Sequence, residues 1–189
     1  TDISSLPYNL WKLWVVADDD TALMTDRSRA AAQIIKEAEN DDLYAQYLTG
    51  KLYQDGPVLI PDSVEALYWF EQAARQGHIA AQYETGKLLL SHDPEVHDPD
   101  LGIQWLECAA QNKNSYAAYR LGKEYLKGRI VEKNPVKATD YLTQSAEAGN
   151  QYAQYTLAKL YLEGHNQEQS RYWFTQSAAQ GNVIASDKM

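Results

Sequence analysis

The sequence predicts an all-α solenoid built from antiparallel helix pairs. The first observation is a nine-residue pattern beginning Ala-x-Tyr, which returns at a fixed interval of 36 residues. Its four copies begin at Ala45, Ala81, Ala117 and Ala153. The second observation is that helix-capping residues and glycines recur at matching points of each copy, where helices would begin and end. A fixed period of this length is typical of stacked helical repeats.

Composition narrows the class of protein. The chain has 189 residues, 44% of them hydrophobic, and a formal net charge of −9, which argues against general binding to nucleic acid. The longest apolar run, 13–17, is too short to span a bilayer, so we expect no membrane partner. A single cysteine, Cys108, allows no internal disulfide, and on helix B beside two alanines we expect it to be buried and inert. A reducing, cytoplasmic location is the simplest expectation.

Residues 1–41 are expected to form an N-terminal helical cap, a degenerate repeat. Apolar residues at helical spacing predict one helix over about 10–17 and a second over about 26–39. Together they would cover the open apolar face of the first repeat. The chain begins at Thr1 without a methionine, and its last residues resemble the start of another repeat, so we expect a fragment of a longer protein.

The repeat array is predicted to occupy residues 42–189, and each repeat consists of a helix A and a helix B. The repeats span about 42–77, 78–113, 114–149 and 150–181, followed by the truncated start of a fifth. In the first repeat, helix A is expected over 42–55 and ends at Gly56, and helix B starts at the capping residue Asp62. Gly128 and Gly164 are equivalent to Gly56 in later repeats.

Other residues mark the same boundaries in later repeats. Pro99 and Pro135 follow capping residues, as at the first position of a helix. The predicted ends of the B helices are Gly77, Lys113, Gly149 and Gly181.

Small residues in the middle of helix A predict close helix–helix contact, since glycine inside a helix costs about 1 kcal/mol relative to alanine. These residues are Gly50, Gly86, Gly122 and Ala158. The large residues expected opposite them are Trp69, Trp105, Tyr141 and Trp173.

The combined pattern, Ala-x-Tyr-x-x-Gly-x-x-Tyr-x-x-Gly followed by Ala66, Trp69, Ala73, Ala74 and Gly77, resembles the Sel-1-like repeats of the tetratricopeptide superfamily. The resemblance covers about residues 42–182. It implies a right-handed superhelix of helix pairs, with a concave groove, lined mainly by A helices, that binds a protein or peptide. In addition, the run from Tyr8 to Trp14 into the repeats is similar to the C-terminal repeat region of mobilisation relaxases from Gram-positive bacteria.

One tyrosine and one lysine recur in helix A of every repeat, four residues apart and therefore on one helix face. We call them the Tyr/Lys ladder: Tyr47, Lys51, Tyr83, Lys87, Tyr119, Lys123, Tyr155 and Lys159. On a concave face they could anchor a peptide through its apolar groups and pair with its carboxylates. The alternative is that the tyrosines pack between repeats and the lysines are solvated.

Two further groups of residues are candidate sites. A basic run could dock an acidic partner, or the acidic N-terminal region of a neighbouring copy, although a solvated face is the commoner explanation. It comprises Lys113, Arg120, Lys123, Lys127, Arg129, Lys133 and Lys137. The polar loop with His92, Asp93, His97 and Asp98 has metal-ligand residue types, but it lacks helical presentation, and an ordinary surface loop is favoured.

No catalytic motif is present in the sequence, and no cofactor is expected. The predicted function is a non-catalytic scaffold that binds a protein or peptide partner, possibly acidic, in the groove. The alternative is an accessory repeat domain of a relaxase-type DNA mobilisation protein. A metal-responsive module would depend on the His92–Asp98 loop alone.

Overall fold

The computed structural model describes residues 4–186, so the outermost residues of the predicted cap and array lie outside the described part. The chain divides into two compact units, Thr1–Trp105 and Leu106–Met189, and we call them the first and second unit. The described residues form eleven helices and no strands, which confirms the all-α prediction. The helices are α1 (Tyr8–Asp18), α2 (Met24–Glu39), α3 (Leu43–Asp55), α4 (Ser63–Arg75), α5 (Ile79–Leu89), α6 (Pro99–Gln111), α7 (Ser115–Lys127), α8 (Pro135–Glu147), α9 (Gln151–Glu163), α10 (Gln167–Ala179) and α11 (Val183–Ser186).

The N-terminal helices α1 and α2 share a hydrophobic core with the first repeat. Leu10, Trp14 and Ile34 are buried in the same cluster as residues of α3 and α4. Arg27 ties the two helices together, because its Nε donates to the carbonyl of Ala17 and its guanidinium lies 3.2 Å from a carboxylate oxygen of Asp20. The pair therefore packs as an extension of the repeat core.

Every A helix begins at a capping residue on the 36-residue period. The caps are Asp42, His78, Asn114 and Asn150. Each side chain accepts a hydrogen bond from the backbone N–H three residues later, at 2.8–3.1 Å, which satisfies one donor that the first turn leaves free. The histidine at position 78 replaces the Asp or Asn found at the other three positions.

The ends of the B helices follow the predicted glycine pattern, and Lys113 keeps the conformation without a glycine. Gly77, Gly149 and Gly181 have φ angles of 88–91°, and Lys113 has φ 68°. At the end of helix A in the fourth repeat, Gly164 was expected to be equivalent to Gly56, which has φ 58°. Gly164 instead has φ −80°, while the next residue, His165, has φ 61°. The short loop of the last repeat moves the left-handed position by one residue.

Close helix contact at the mid-helix glycines is confirmed for Gly50 and Gly122. A methyl group at Gly50 would lie 2.5 Å from Cδ1 of Phe70, and one at Gly122 would lie 2.6 Å from Cγ of Leu142. The predicted opposing residues, Trp69 and Tyr141, were therefore wrong by one position. One residue is about 100° around a helix, so Phe70 and Leu142 are fully buried while Trp69 and Tyr141 are partly exposed.

The glutamine of the repeated Ala-Gln-Tyr pattern links consecutive repeats. The side-chain amides of Gln46, Gln82 and Gln154 donate to carbonyls near the end of the preceding B helix, those of Ala38, Ala74 and Ala146. Each of these carbonyls lies in the last turn of its helix and also accepts from a backbone N–H just beyond the helix, that of Asp41, Gly77 or Gly149, so the glutamine adds a second hydrogen bond. The third repeat has alanine at the corresponding position, and there Gln144 donates to the carbonyl of Ala110 instead.

No helix within residues 4–186 has both the length and the apolar character needed to cross a membrane.

Candidate partner-binding site

The eight residues of the Tyr/Lys ladder lie on α3, α5, α7 and α9, with one pair on each helix. In three of the four pairs the lysine ammonium lies over the ring of its own tyrosine, at 5.3 Å for Lys87, 5.3 Å for Lys123 and 5.8 Å for Lys159. The predicted i, i+4 relation therefore places cation and ring in contact, an interaction worth about 0.5–1 kcal/mol at an exposed site. The environment of the pairs differs from repeat to repeat.

In the first repeat both ladder residues are engaged within the fold. Tyr47 is only 6% exposed, and its ring stacks on the imidazole of His78 with centroids 4.5 Å apart. The ammonium of Lys51 lies 3.0 Å from a carboxylate oxygen of Asp55 and 3.1 Å from the side-chain oxygen of Gln54. This pair has the packing role that the alternative interpretation assigned to the ladder.

In the second repeat a buried carboxylate neutralises the lysine. Glu84 precedes Lys87 by three residues, and its Oε2 lies 2.6 Å from the ammonium. Gln54 also donates to the same oxygen at 3.4 Å. Glu84 is buried, so its ion pair with Lys87 satisfies a charge that would otherwise be costly to bury. The i, i+3 spacing of these two residues is a sequence signal for such a pair.

In the described part of the second unit the two ladder lysines have no acidic partner. Within the described residues no carboxylate lies within 4.0 Å of the ammonium of Lys123 or Lys159. The ring of Tyr119 lies 6.2 Å from that of Tyr152, which is 55% exposed. The ring of Tyr155 meets Phe174 edge-on at 5.8 Å. This surface therefore presents half-buried aromatic rings beside two uncompensated positive charges.

The basic run is divided between α7, α8 and the segments beside them. Arg120 is neutralised by Glu124, whose carboxylate accepts from its Nε at 2.9 Å, and the ammonium of Lys137 lies 5.1 Å above the Tyr125 ring. The remaining members apart from Lys123 are exposed: Lys113, Lys127, Arg129 and Lys133. Only part of the run is therefore available as a free cationic surface.

The polar loop after α5 uses its side chains to hold its own backbone. Asp93 accepts from the N–H of Glu95, Asp98 accepts from the N–H of Leu101, and Nδ1 of His97 lies 2.6 Å from the carbonyl oxygen of Ser91. Asp93 accepts hydrogen bonds from the Ser63 side chain and from the Glu95 N–H, and these lower the pKa of Asp93 below its usual value. Over residues 4–186 no three His, Cys, Asp or Glu side chains are grouped so that they could hold a metal ion.

Cys108 is partly exposed, so the expectation that it is buried was wrong. Its sulfur lies 4.0 Å from the side-chain nitrogen of Asn112, one turn later on the same face of the segment. The flanking alanines, Ala109 and Ala110, are the residues that reach the core.

His78 gives the first unit a pH-sensitive contact that sequence reasoning missed. Its Nδ1 accepts from the N–H of Ala81 at 3.1 Å, and its ring lies between Tyr47 and the edge of Tyr44 at 5.5 Å. Burial lowers the pKa of His78 below its usual value. Protonation at Nδ1 would remove the acceptor and place a cation at a helix N-terminus, where it is unfavourable.

We expect the free energy of unfolding to fall as the pH drops from about 7 to about 5, because the unfolded chain takes up the His78 proton at about pH 6.5. His78 in the folded chain takes up the proton only at lower pH. Its contribution to the free energy of unfolding is therefore complete above the pKa of His78 in the unfolded chain, and it is lost as the pH falls towards the pKa of His78 in the folded chain. The loss should reach up to about 1 kcal/mol, the usual contribution of an N-cap. Urea denaturation at several pH values measures it.

The matched control is His78→Asn, which introduces the capping residue of the third and fourth repeats. The variant should keep the cap and lose the histidine-dependent part of the pH profile. Identical profiles for the variant and the parent would contradict the role given to His78.

The helices, caps and inter-helix contacts define the chain as an α-helical repeat protein made of antiparallel helix pairs. A family model described as the Sel1 repeat matches residues 43–78, 79–114, 115–150 and 151–182, and the chain belongs to this family. These bounds agree with the predicted repeats to within one residue. The resemblance stated from the sequence is therefore confirmed.

Two solved structures show the same fold over nearly the whole chain. One is c5321 from uropathogenic Escherichia coli, a protective antigen with an SLR fold, at 29% identity and a TM-score of 0.85; the match covers 94% of this chain and 38% of that one. The other is a Sel1 repeat protein from Oxalobacter formigenes, at 28% identity and a TM-score of 0.81, covering 94% and 74%. The chain thus spans well under half the length of the E. coli antigen.

No curated protein matches the chain in sequence. The two solved structures do not bear on the similarity to mobilisation relaxases, which stays a prediction.

Proposed function

We propose that this chain is a non-catalytic scaffold that binds an acidic protein or peptide segment along the A helices of the second unit. The observation that carries the proposal is the pair of lysines Lys123 and Lys159. Each lies over a tyrosine ring, and neither has a carboxylate within 4.0 Å among the described residues. Two such pairs, one on each of two successive A helices, form a repeated recognition element for an extended chain.

The family supports this choice of function. Sel1 repeat proteins are generally non-catalytic scaffolds, and helical repeat arrays present extended surfaces to protein partners. The charge of the second unit favours an acidic partner. Leu106–Met189 contains ten basic and eight acidic residues, a net charge of +2, whereas Thr1–Trp105 contains seven and eighteen, a net charge of −11.

The chemistry of the surface suits a segment that alternates acidic and apolar residues. The ammonium groups of Lys123 and Lys159 can pair with carboxylates, and the half-buried rings of Tyr119 and Tyr155 can contact apolar side chains. The exposed ring of Tyr152, beside Tyr119, extends the apolar part. In the first unit the corresponding lysines already form ion pairs with Asp55 and Glu84, so we assign binding to the second unit alone.

An immobilised set of peptides that alternate Asp or Glu with apolar residues supplies the probe. The peptide of this set that binds most tightly is then measured in solution by fluorescence anisotropy. We expect the Lys123→Gln/Lys159→Gln variant to bind it at least about tenfold more weakly than the parent chain does, a loss of about 1.4 kcal/mol in binding free energy. Both lysines are on the surface, so the melting temperature should change little.

The matched control is Lys36→Gln/Lys51→Gln, which changes the net charge by the same amount and leaves the buried Glu84 paired with Lys87. Its affinity for the peptide should stay within about twofold of the parent, since both lysines lie in the first unit and Lys51 is already paired with Asp55. An equal loss in both double variants would reduce the effect to overall charge and contradict a site in the second unit.

A further inference from the structure

Two equivalent segments of consecutive repeats carry opposite charge. We call residues 91–101, between helices A and B of the second repeat, the acidic segment, and residues 127–137, 36 positions later, the basic segment. The acidic segment contains Asp93, Glu95, Asp98 and Asp100 and no Lys or Arg. The basic segment contains Lys127, Arg129, Lys133 and Lys137 and one acid, Glu132. Their formal charges are therefore −4 and +3.

Both segments are held by the same backbone contact. The N–H of Asp98 donates to the carbonyl of Leu89 at 3.0 Å, and the N–H of Asn134 donates to the carbonyl of Tyr125 at 2.9 Å. In each case the donor is the residue that precedes the proline opening helix B. The two segments thus share one backbone hydrogen bond and carry opposite charge.

Several charged side chains of both segments are accessible to another molecule. Val96 is buried and anchors the acidic segment, while Glu95 and Asp100 are exposed. The hydrogen bond from Ser63 that lowers the pKa of Asp93 keeps its carboxylate ionised. On the basic segment, Lys127, Arg129 and Lys133 are exposed and form no ion pair of 4.0 Å or less within residues 4–186.

We propose that the basic segment docks the acidic segment of a second copy of this chain, so that two copies pair reciprocally as a dimer. Charge complementarity supports this occupant, since opposite surfaces steer association and fix its register. Every copy carries both surfaces in equal number, and in a two-fold interface each contact occurs twice. Neither segment contains a residue of the Tyr/Lys ladder, and Lys127 lies one turn after Lys123 on α7, so the basic segment adjoins the proposed peptide site.

Sedimentation velocity on the parent chain should show a dimer at low salt that dissociates at high salt. Between about 25 mM and about 500 mM NaCl the Debye length falls from roughly 20 Å to roughly 4 Å, and the dissociation constant should rise at least about tenfold. A parent chain that is monomeric at low salt, or a dimer that is insensitive to salt, would overturn the proposal.

Charge reversal distinguishes this interface from a folding defect. In the Lys127→Glu/Arg129→Glu variant both segments are negative. In the Glu95→Lys/Asp100→Lys variant the acidic segment becomes neutral and the basic segment stays positive. Neither variant has segments of opposite charge, so each alone should be monomeric. An equimolar mixture should associate, because the acidic segment of the former can still meet the basic segment of the latter. Recovery in the mixture shows that both variants are folded, and circular dichroism checks each one alone.

A mixture that stays monomeric would overturn the proposal, as would either variant that dimerises as the parent does. If the parent stays monomeric, and an acidic peptide loses affinity for the Lys127→Glu/Arg129→Glu variant but not for the Lys123→Gln/Lys159→Gln variant, the basic segment serves a foreign partner and the second copy is excluded. The measurements of self-association contain no peptide, so the proposed scaffold function is tested separately.

Discussion

Replacing Phe70 with alanine is expected to lower the free energy of unfolding by about 3–5 kcal/mol, the usual loss for a fully buried aromatic side chain. The ring of Phe70 is completely buried and lies against Gly50 and Tyr47. Its removal leaves a cavity in the core that joins α3, α4 and the N-terminal helices. Urea denaturation followed by circular dichroism measures the change.

The matched control is the neighbouring residue, Trp69. It is the larger side chain, but it is only partly buried and contacts Tyr68 edge-on at 5.1 Å. Trp69→Ala should therefore cost no more than about 2 kcal/mol, because less of the removed surface lies in the core. A larger loss for Trp69→Ala than for Phe70→Ala would show that α4 is rotated relative to the structure described here.

Replacing Gly50 with alanine is expected to destabilise the chain by about 1–3 kcal/mol, although alanine is the better helix former. The added methyl would lie 2.5 Å from Cδ1 and 2.6 Å from Cε1 of Phe70. An enclosed aromatic ring cannot move aside without disturbing its other contacts, so overpacking outweighs the gain of about 1 kcal/mol in helix propensity. Differential scanning calorimetry and urea denaturation both report the loss.

A second substitution tests whether contact with Phe70 causes the destabilisation by Gly50→Ala. Phe70→Leu in the Gly50→Ala background should cost less than the same change in the parent, because the smaller side chain makes room for the methyl. Additive losses would contradict direct contact between positions 50 and 70, since independent sites add and contacting sites do not. Gly164→Ala is a further comparison, because Gly164 has φ −80° and its added carbon would meet its nearest neighbour, the Leu160 carbonyl oxygen, at 3.4 Å.

The sequence predicted the helices well because the signals that define them are local. A cap such as Asp42 or Asn114 bonds a backbone N–H three residues away, and a glycine such as Gly77 supplies its own positive φ. The 36-residue period then transfers the assignment to repeats with weaker signals, including Lys113, which keeps the left-handed conformation. The error at Gly164 arose where the last repeat is four residues shorter and the period no longer fixes the register.

The candidate site was harder to predict because its behaviour depends on neighbours from other helices. The spacing of Tyr119 and Lys123 was enough to place ring and ammonium on one face, as the 5.3 Å contact shows. It could not show that Tyr47 is covered by His78 while Tyr119 stays half-buried. The ion pairs of Lys51 and Lys87 were in principle visible, since their partners lie three or four residues away on the same helix.

The class of fold and the family could be predicted from the sequence, because repetition imposes the same local hydrogen bonds on every copy. That Phe70 and not Trp69 fills the space beside Gly50 became visible in the packed structure, since neighbouring residues of one helix differ by burial and not by local geometry. The lysines of the first unit differ from Lys123 and Lys159 in their acidic neighbours on the same helix, which the sequence does contain. Burial depends on packing between helices, which a periodic pattern does not specify.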